Sequence, residues 1–97
     1  MIMYVHIVSF KVIEGEEITF IELQKFQEAN ESKPAGLDHY HIFKDRNDDS
    51  RFFLLEYWNS KEDKEKLEET EDHQYFHKLR KLAVEKKYET FECDLVV

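Results

Sequence analysis

The chain has 97 residues, room for one domain (1–97) around one core, and such a domain buries about 60–70% of the surface its unfolded form exposes. Lys and Arg number 14 against 22 Asp and Glu, a net charge of −8 that repels a nucleic-acid backbone or an anionic membrane and removes both as expected partners. The single cysteine, Cys93, cannot form an internal disulfide, which suits a reducing, cytoplasmic setting.

No apolar run approaches the roughly 20 residues needed to span a bilayer, and the opening MIMYVHIVSF has neither a basic leader region nor a small-residue cleavage site. The chain is expected to begin as a strand. Met3 to Val12 is rich in β-branched and aromatic residues, is apolar on both parities, and is closed by Gly15. From Glu16 to about Glu31, the positions Ile18, Ile21, Leu23, Phe26 and Ala29 predict an amphipathic helix with that arc buried. The helix must stop before Pro34, which disfavours helical geometry at Lys33, and Gly36 permits a tight reversal.

Leu37 to Lys44 and Arg51 to Trp58 read as strands of a hairpin, joined by the turn-forming cluster Asp45 to Ser50. The second of these, RFFLLEYW, is apolar on both parities and is expected at the centre of the sheet. Asn59 or Ser60 then caps a helix, with Asp63 as a short form of the capping-box acid. A second start signal, Thr70 followed by Glu71 and Asp72, predicts a break there, after which Phe76, Leu79, Leu82 and Ala83 form a buried stripe. Tyr88 to Val97 alternates as a half-exposed strand.

The order β-α-β-β-α-β is the ferredoxin-like α+β plan, a four-stranded antiparallel sheet with its helices on one face. Two strands are apolar on both faces, yet the helices cover only one. Burying even five such side chains is worth about 8–15 kcal/mol, so a second copy packed sheet to sheet, a homodimer, is the expected cover.

Within the segment from Pro34 to Leu79, Pro34 and Gly36, the hairpin Asp45 to Ser50, the strand end Glu56-Tyr57-Trp58-Asn59-Ser60, Thr70 and His73 together resemble the antibiotic-biosynthesis monooxygenase family of dimeric α+β barrels. The opening HIVSFKV is similar to related stress-responsive barrels. The resemblance implies oxygenation, without a bound cofactor, of a small aromatic or quinone-like compound. The alternatives within the superfamily are a non-catalytic small-molecule-binding or stress-related barrel and a haem-degrading protein. Two departures count against haem: Leu67 stands where a family histidine often lies, and no asparagine precedes Asn30.

Glu56 and Trp58, two apart on a strand, share a face, and the resemblance makes it the face that opens a cavity under the helices. Glu56 is then a proton shuttle beside an indole, or else a carboxylate paired with a Lys, Arg or backbone donor in an ordinary core. His73 and His77 lie at i and i+4 on one helical face, but Gln74 replaces the zinc-protease glutamate and no third ligand is evident, so no metal is expected. The candidate catalytic set is Glu56, Trp58 and His73, with Phe76, His77 and His6 lining the ligand pocket. His39 and His41 share a strand face, but a one-residue slip decides which. Acidic Glu92 and Asp94 beside Cys93 disfavour a reactive thiolate. With Gly15 and Gly36 the only glycines, no phosphate-cradling loop exists, which excludes a nucleotide cofactor held that way, and the resemblance implies that no other cofactor is bound.

Overall fold

Seven elements follow one another along residues 2–97, which the computed structural model describes: β1 (Tyr4–Lys11), α1 (Glu17–Asn30), β2 (Leu37–Lys44), β3 (Arg51–Trp58), α2 (Lys61–Glu68), α3 (Glu71–Lys81) and β4 (Glu89–Asp94). All strand pairings are antiparallel, in the order β2-β3-β1-β4, so the two strands that are apolar on both parities occupy the centre. This is the expected ferredoxin-like α+β fold, with the second helical stretch divided in two. Ser60 Oγ caps α2 by accepting from the Asp63 amide at 3.2 Å, and Thr70 Oγ1 caps α3 by accepting from the His73 amide at 3.3 Å. The fresh cap at Thr70 is the break that the sequence signals.

Register decides the faces. Directly opposed residues share a face, so Tyr4, His6, Val8 and Phe10 of β1 stand beside Trp58, Glu56, Leu54 and Phe52 of β3. A bulge at Asp38 shifts β2, placing Tyr40 opposite Glu56 and His39 opposite Tyr57. On the helix-covered face, Phe10, Val12, Phe20, Phe52 and Ala83 form one buried cluster, with the rings of Phe10, Phe20 and Phe52 at centroid distances of 5.3, 6.1 and 5.2 Å. Tyr4, Leu37 and Trp58 form a second, backed by Tyr40 and Leu67. The other face carries Ile7, Phe53, Leu55, Tyr57, His39, His41, Phe43 and Phe91 with no helix over it.

Three expectations need correction. The buried arc of α1 is not the Ile18–Ile21–Phe26 set: Ile18 is 77% exposed and Phe20 is the buried residue. The inward stripe runs Phe20, Leu23, Gln24, Gln27, Glu31, at the three-to-four spacing of a helix but polar over its second half. In the α3 region, Phe76 and Ala83 are buried as expected, but Leu82 is 72% exposed because the helix ends at Lys81 and the phase is lost. β4 is shorter than Tyr88–Val97 and exposed throughout, as an edge strand paired only with β1 and touched from the helical side by Lys61 through Glu92.

Candidate functional site

Between α1, α3 and the upper half of the sheet the core turns polar. Glu56, on β3, meets His6, opposite it on β1, at 3.0 Å between Oε1 and Nδ1, with both side chains mostly buried. Next along β3, Trp58 is fully buried, yet its indole N–H has no protein acceptor. From the helical layer, His73 at the start of α3 faces Glu31 at the end of α1, with Nδ1 and Oε1 3.6 Å apart. The other oxygen of Glu31 accepts from Gln27 Nε2 at 2.6 Å.

The sequence reading missed the cation at the centre of this region. Arg80 lies seven residues after His73, two turns along the same side of α3, and its Nε is buried without an acceptor. Among the described residues it makes no ion pair within 4.0 Å, although Glu56, Glu31 and Tyr40 all act on it. Burial pulls its pKa down, but a guanidinium starts so high that it remains charged. Tyr40, opposite Glu56, has its phenol pKa raised, chiefly by burial and then by Glu28, while Arg80 opposes the rise. His73 is held below the ordinary imidazole value by burial and then by Arg80, with Glu31 and Glu56 pulling the other way. His77 is exposed, stacks on His73 with ring centroids 6.4 Å apart, and is also pushed down, by partial burial and then by Arg80 and Lys81.

Of the residues picked from the sequence, Glu56 and His6 are thus in contact, Trp58 adjoins them on the same sheet face, and His73 sits across from them in the helical layer. Phe76 is buried against Phe26 at 5.7 Å, ring edge to face, and acts as packing beside His73. Arg80 and Glu31 were legible only as spacing: 73, 76 and 80 on one helix, 20, 24, 27 and 31 on another. His39 and His41 lie on the opposite face of the sheet, where His39 stacks on Tyr57 at 4.1 Å. Two surface concavities, of about 410 and 320 Å³, lie at the two ends of the β1–β4 pair, and neither is lined by Glu56, Trp58, His73 or Arg80.

The inner region holds six buried polar atoms without a protein partner: Gln24 Oε1, Gln27 Oε1, Glu31 Oε1, Trp58 Nε1, His73 Nδ1 and Arg80 Nε. Buried polar groups in folded proteins are nearly always satisfied by protein, water or ligand. Of the six, Glu31 Oε1 and His73 Nδ1 face each other at 3.6 Å; the donors on Trp58 and Arg80 and the acceptors on Gln24 and Gln27 are left for water or a polar ligand to meet.

Residues 3–79 match the family model for antibiotic biosynthesis monooxygenases, and the chain belongs to that family. Solved structures share the fold at low identity. A conserved protein from Methanosarcina mazei Go1 superposes with a TM-score of 0.85 at 15% identity, over 96% of this chain and 92% of that one. A conserved protein of unknown function from Bacteroides thetaiotaomicron gives 0.77 at 25% identity, over 95% and 98%. SnoaB, a cofactor-independent oxygenase from Streptomyces nogalater, gives 0.81 at 10% identity, over 100% and 98%. No curated protein matches the sequence. Among the described residues, no helix is long and apolar enough to cross a membrane.

Proposed function

We propose that this chain is an oxygenase that works without a bound cofactor on a small phenolic or quinone-like compound held between α1, α3 and the helix-covered face of the sheet. The observation that carries the proposal is the set of buried, unpartnered polar atoms facing one another there. Family membership and the likeness to an oxygenase of that kind support the reaction class.

In this reading Trp58 Nε1–H and the Arg80 guanidinium hold the oxygens of the ligand, and Phe76 walls the site beside His73. Glu56, with His6 behind it, and His73 move protons, while His77 connects His73 to solvent. A phenol that takes one atom of O2 into its ring and releases the other as water becomes a quinone. The ring then supplies all four electrons, so no external reductant is needed. The protein's task is to bind, to ionise the ring hydroxyl and to stabilise the resulting anion beside Arg80, an electrostatic contribution that a dry site makes large. The uncovered sheet face pairs with that of a second copy, giving a homodimer.

The test is oxygen uptake with a panel of hydroquinones and phenols, followed alongside quenching of Trp58, the only tryptophan. Uptake that falls at least a hundredfold in Glu56→Gln or His73→Ala, as general acid–base catalysis typically contributes about 10²–10⁴-fold, supports the proposal. Quenching without uptake, unchanged in both variants, points instead to a binding protein of the same fold. Neither quenching nor uptake across the panel removes the proposal.

A further inference from the structure

The contact between Glu31 and His73 joins the end of one helix to the start of another, and no motif in the sequence announces it. Glu31 is the C-cap of α1, with its amide bound to Gln27 O at 2.8 Å and its Oε2 held by Gln27 Nε2. His73 is held at its own end by the Thr70 cap. Both side chains are largely enclosed, at 12% and 18% exposure. Glu31 Oε1 and His73 Nδ1 face each other at 3.6 Å, and neither buried atom has another partner in the protein. A carboxylate fixed on one side and turned toward a ring nitrogen on the other is how proteins choose an imidazole tautomer.

We propose that Glu31 is a positioning residue that fixes the His73 ring through Nδ1–H, leaving Nε2 as the proton acceptor of the site. The inference rests on the reading of this region as a ligand site and adds to it the identity of the base. The separation of 3.6 Å is slightly long for a hydrogen bond, as such contacts often are before a ligand is bound. In the proton transfer, a hydroxyl of the ligand gives its proton to Nε2, the ligand keeps the electron pair as an oxyanion beside Arg80, and the imidazolium formed is stabilised by Glu31.

The charged groups acting on His73 are Arg80 on its own helix, Glu31 from α1 and Glu56 from β3, with exposed His77 stacked above it. Burial and Arg80 keep the ring neutral in the resting protein, the state a base requires; Glu31 keeps that neutrality from becoming so deep that the ring cannot accept a proton.

Nitrogen-detected NMR titration of the ligand-free protein tests this directly. Expected is a His73 that titrates below its ordinary value of about 6.5, with the proton of the neutral form on Nδ1. Glu31→Gln should lower the midpoint by about one unit or more, the size expected when an opposite charge within about 4–6 Å is removed, and should move the neutral proton toward Nε2. Glu31→Asp should restore part of both effects. Should Glu31→Gln fail to fold, Gln27→Met, which frees Oε2 without removing the charge, should shift the tautomer ratio in the same direction. A His73 midpoint that does not respond to Glu31→Gln, or a neutral ring that carries its proton on Nε2 in the unaltered protein, overturns the inference. These readouts need no turnover, so absent oxygen uptake would count against the oxygenase reading and not against the dyad.

Discussion

Gly36 is where the chain turns from α1 into β2, and replacing it by alanine should destabilise the protein in two separable ways. Its φ is +84°, and a side chain there costs about 1–2 kcal/mol. A Cβ would also run into Oδ2, Cγ and Cβ of Asp63, whose amide makes the Ser60 cap and whose carboxylate accepts from Ser60 Oγ. Pushing that side chain aside opens the cap, typically worth about 1 kcal/mol, so the total is about 2–3 kcal/mol. With about 4–8 °C lost per kcal/mol in a domain near this size, the melting temperature should fall by roughly 10–20 °C. Urea unfolding followed by Trp58 fluorescence, at one fixed protein concentration, measures the free energy. Asp63→Gly removes the three atoms nearest to the added methyl group, so in that background Gly36→Ala should cost little beyond the backbone share. The two changes together should therefore be about 1 kcal/mol less damaging than their sum. Strict additivity, or a loss below about 1 kcal/mol for Gly36→Ala alone, would refute the reasoning.

Other outcomes follow from the same geometry. Asp48 accepts from the hydroxyl and amide of Ser50 and pairs with Lys11, which hold its pKa at about 2. A depressed carboxylate stabilises the fold above its unfolded value of about 3.9 and loses that contribution as pH falls toward 2, so the β2–β3 turn should loosen over that window by NMR, and Asp48→Asn should remove the dependence. Phe20→Ala, at the centre of the aromatic cluster, should cost about 3–5 kcal/mol by urea unfolding. Sedimentation should give twice the chain mass of 11.9 kDa, and Phe53→Asp on the uncovered face should yield monomer or aggregate; a soluble monomer of the unaltered chain at micromolar concentration would refute the pairing.

The central place of β3 and the apolar character of both faces of β1 and β3 were legible because alternation has a period of two and leaves no freedom once a strand is central. The cap at Thr70 was legible for a similar reason, since a local hydrogen bond needs only local residues. His39 was not placeable, because the bulge at Asp38 leaves no mark in composition and reverses the face. The candidate site was half legible. Glu56 and Trp58 advertise themselves as odd residues in an apolar strand, whereas Arg80 sits among Lys78 and Lys81 at a helix end, where cations ordinarily complement the dipole and stay in solvent. Glu31 was hidden by Ile18, Ile21 and Phe26, whose apolar spacing drew the inward face of α1 to the wrong side.

That face of α1 separates two duties along one helix. Its first half, Phe20 and Leu23, holds the sheet, while its second half, Gln24, Gln27 and Glu31, presents polar atoms to the interior. Changes in the second half remove no core side chain, so they can reshape what the interior accepts while the fold stays intact. A library confined to those three positions should, on the proposed function, yield folded proteins of altered ligand preference, and leucine at Gln24, which holds no other side chain, should raise stability while closing the site.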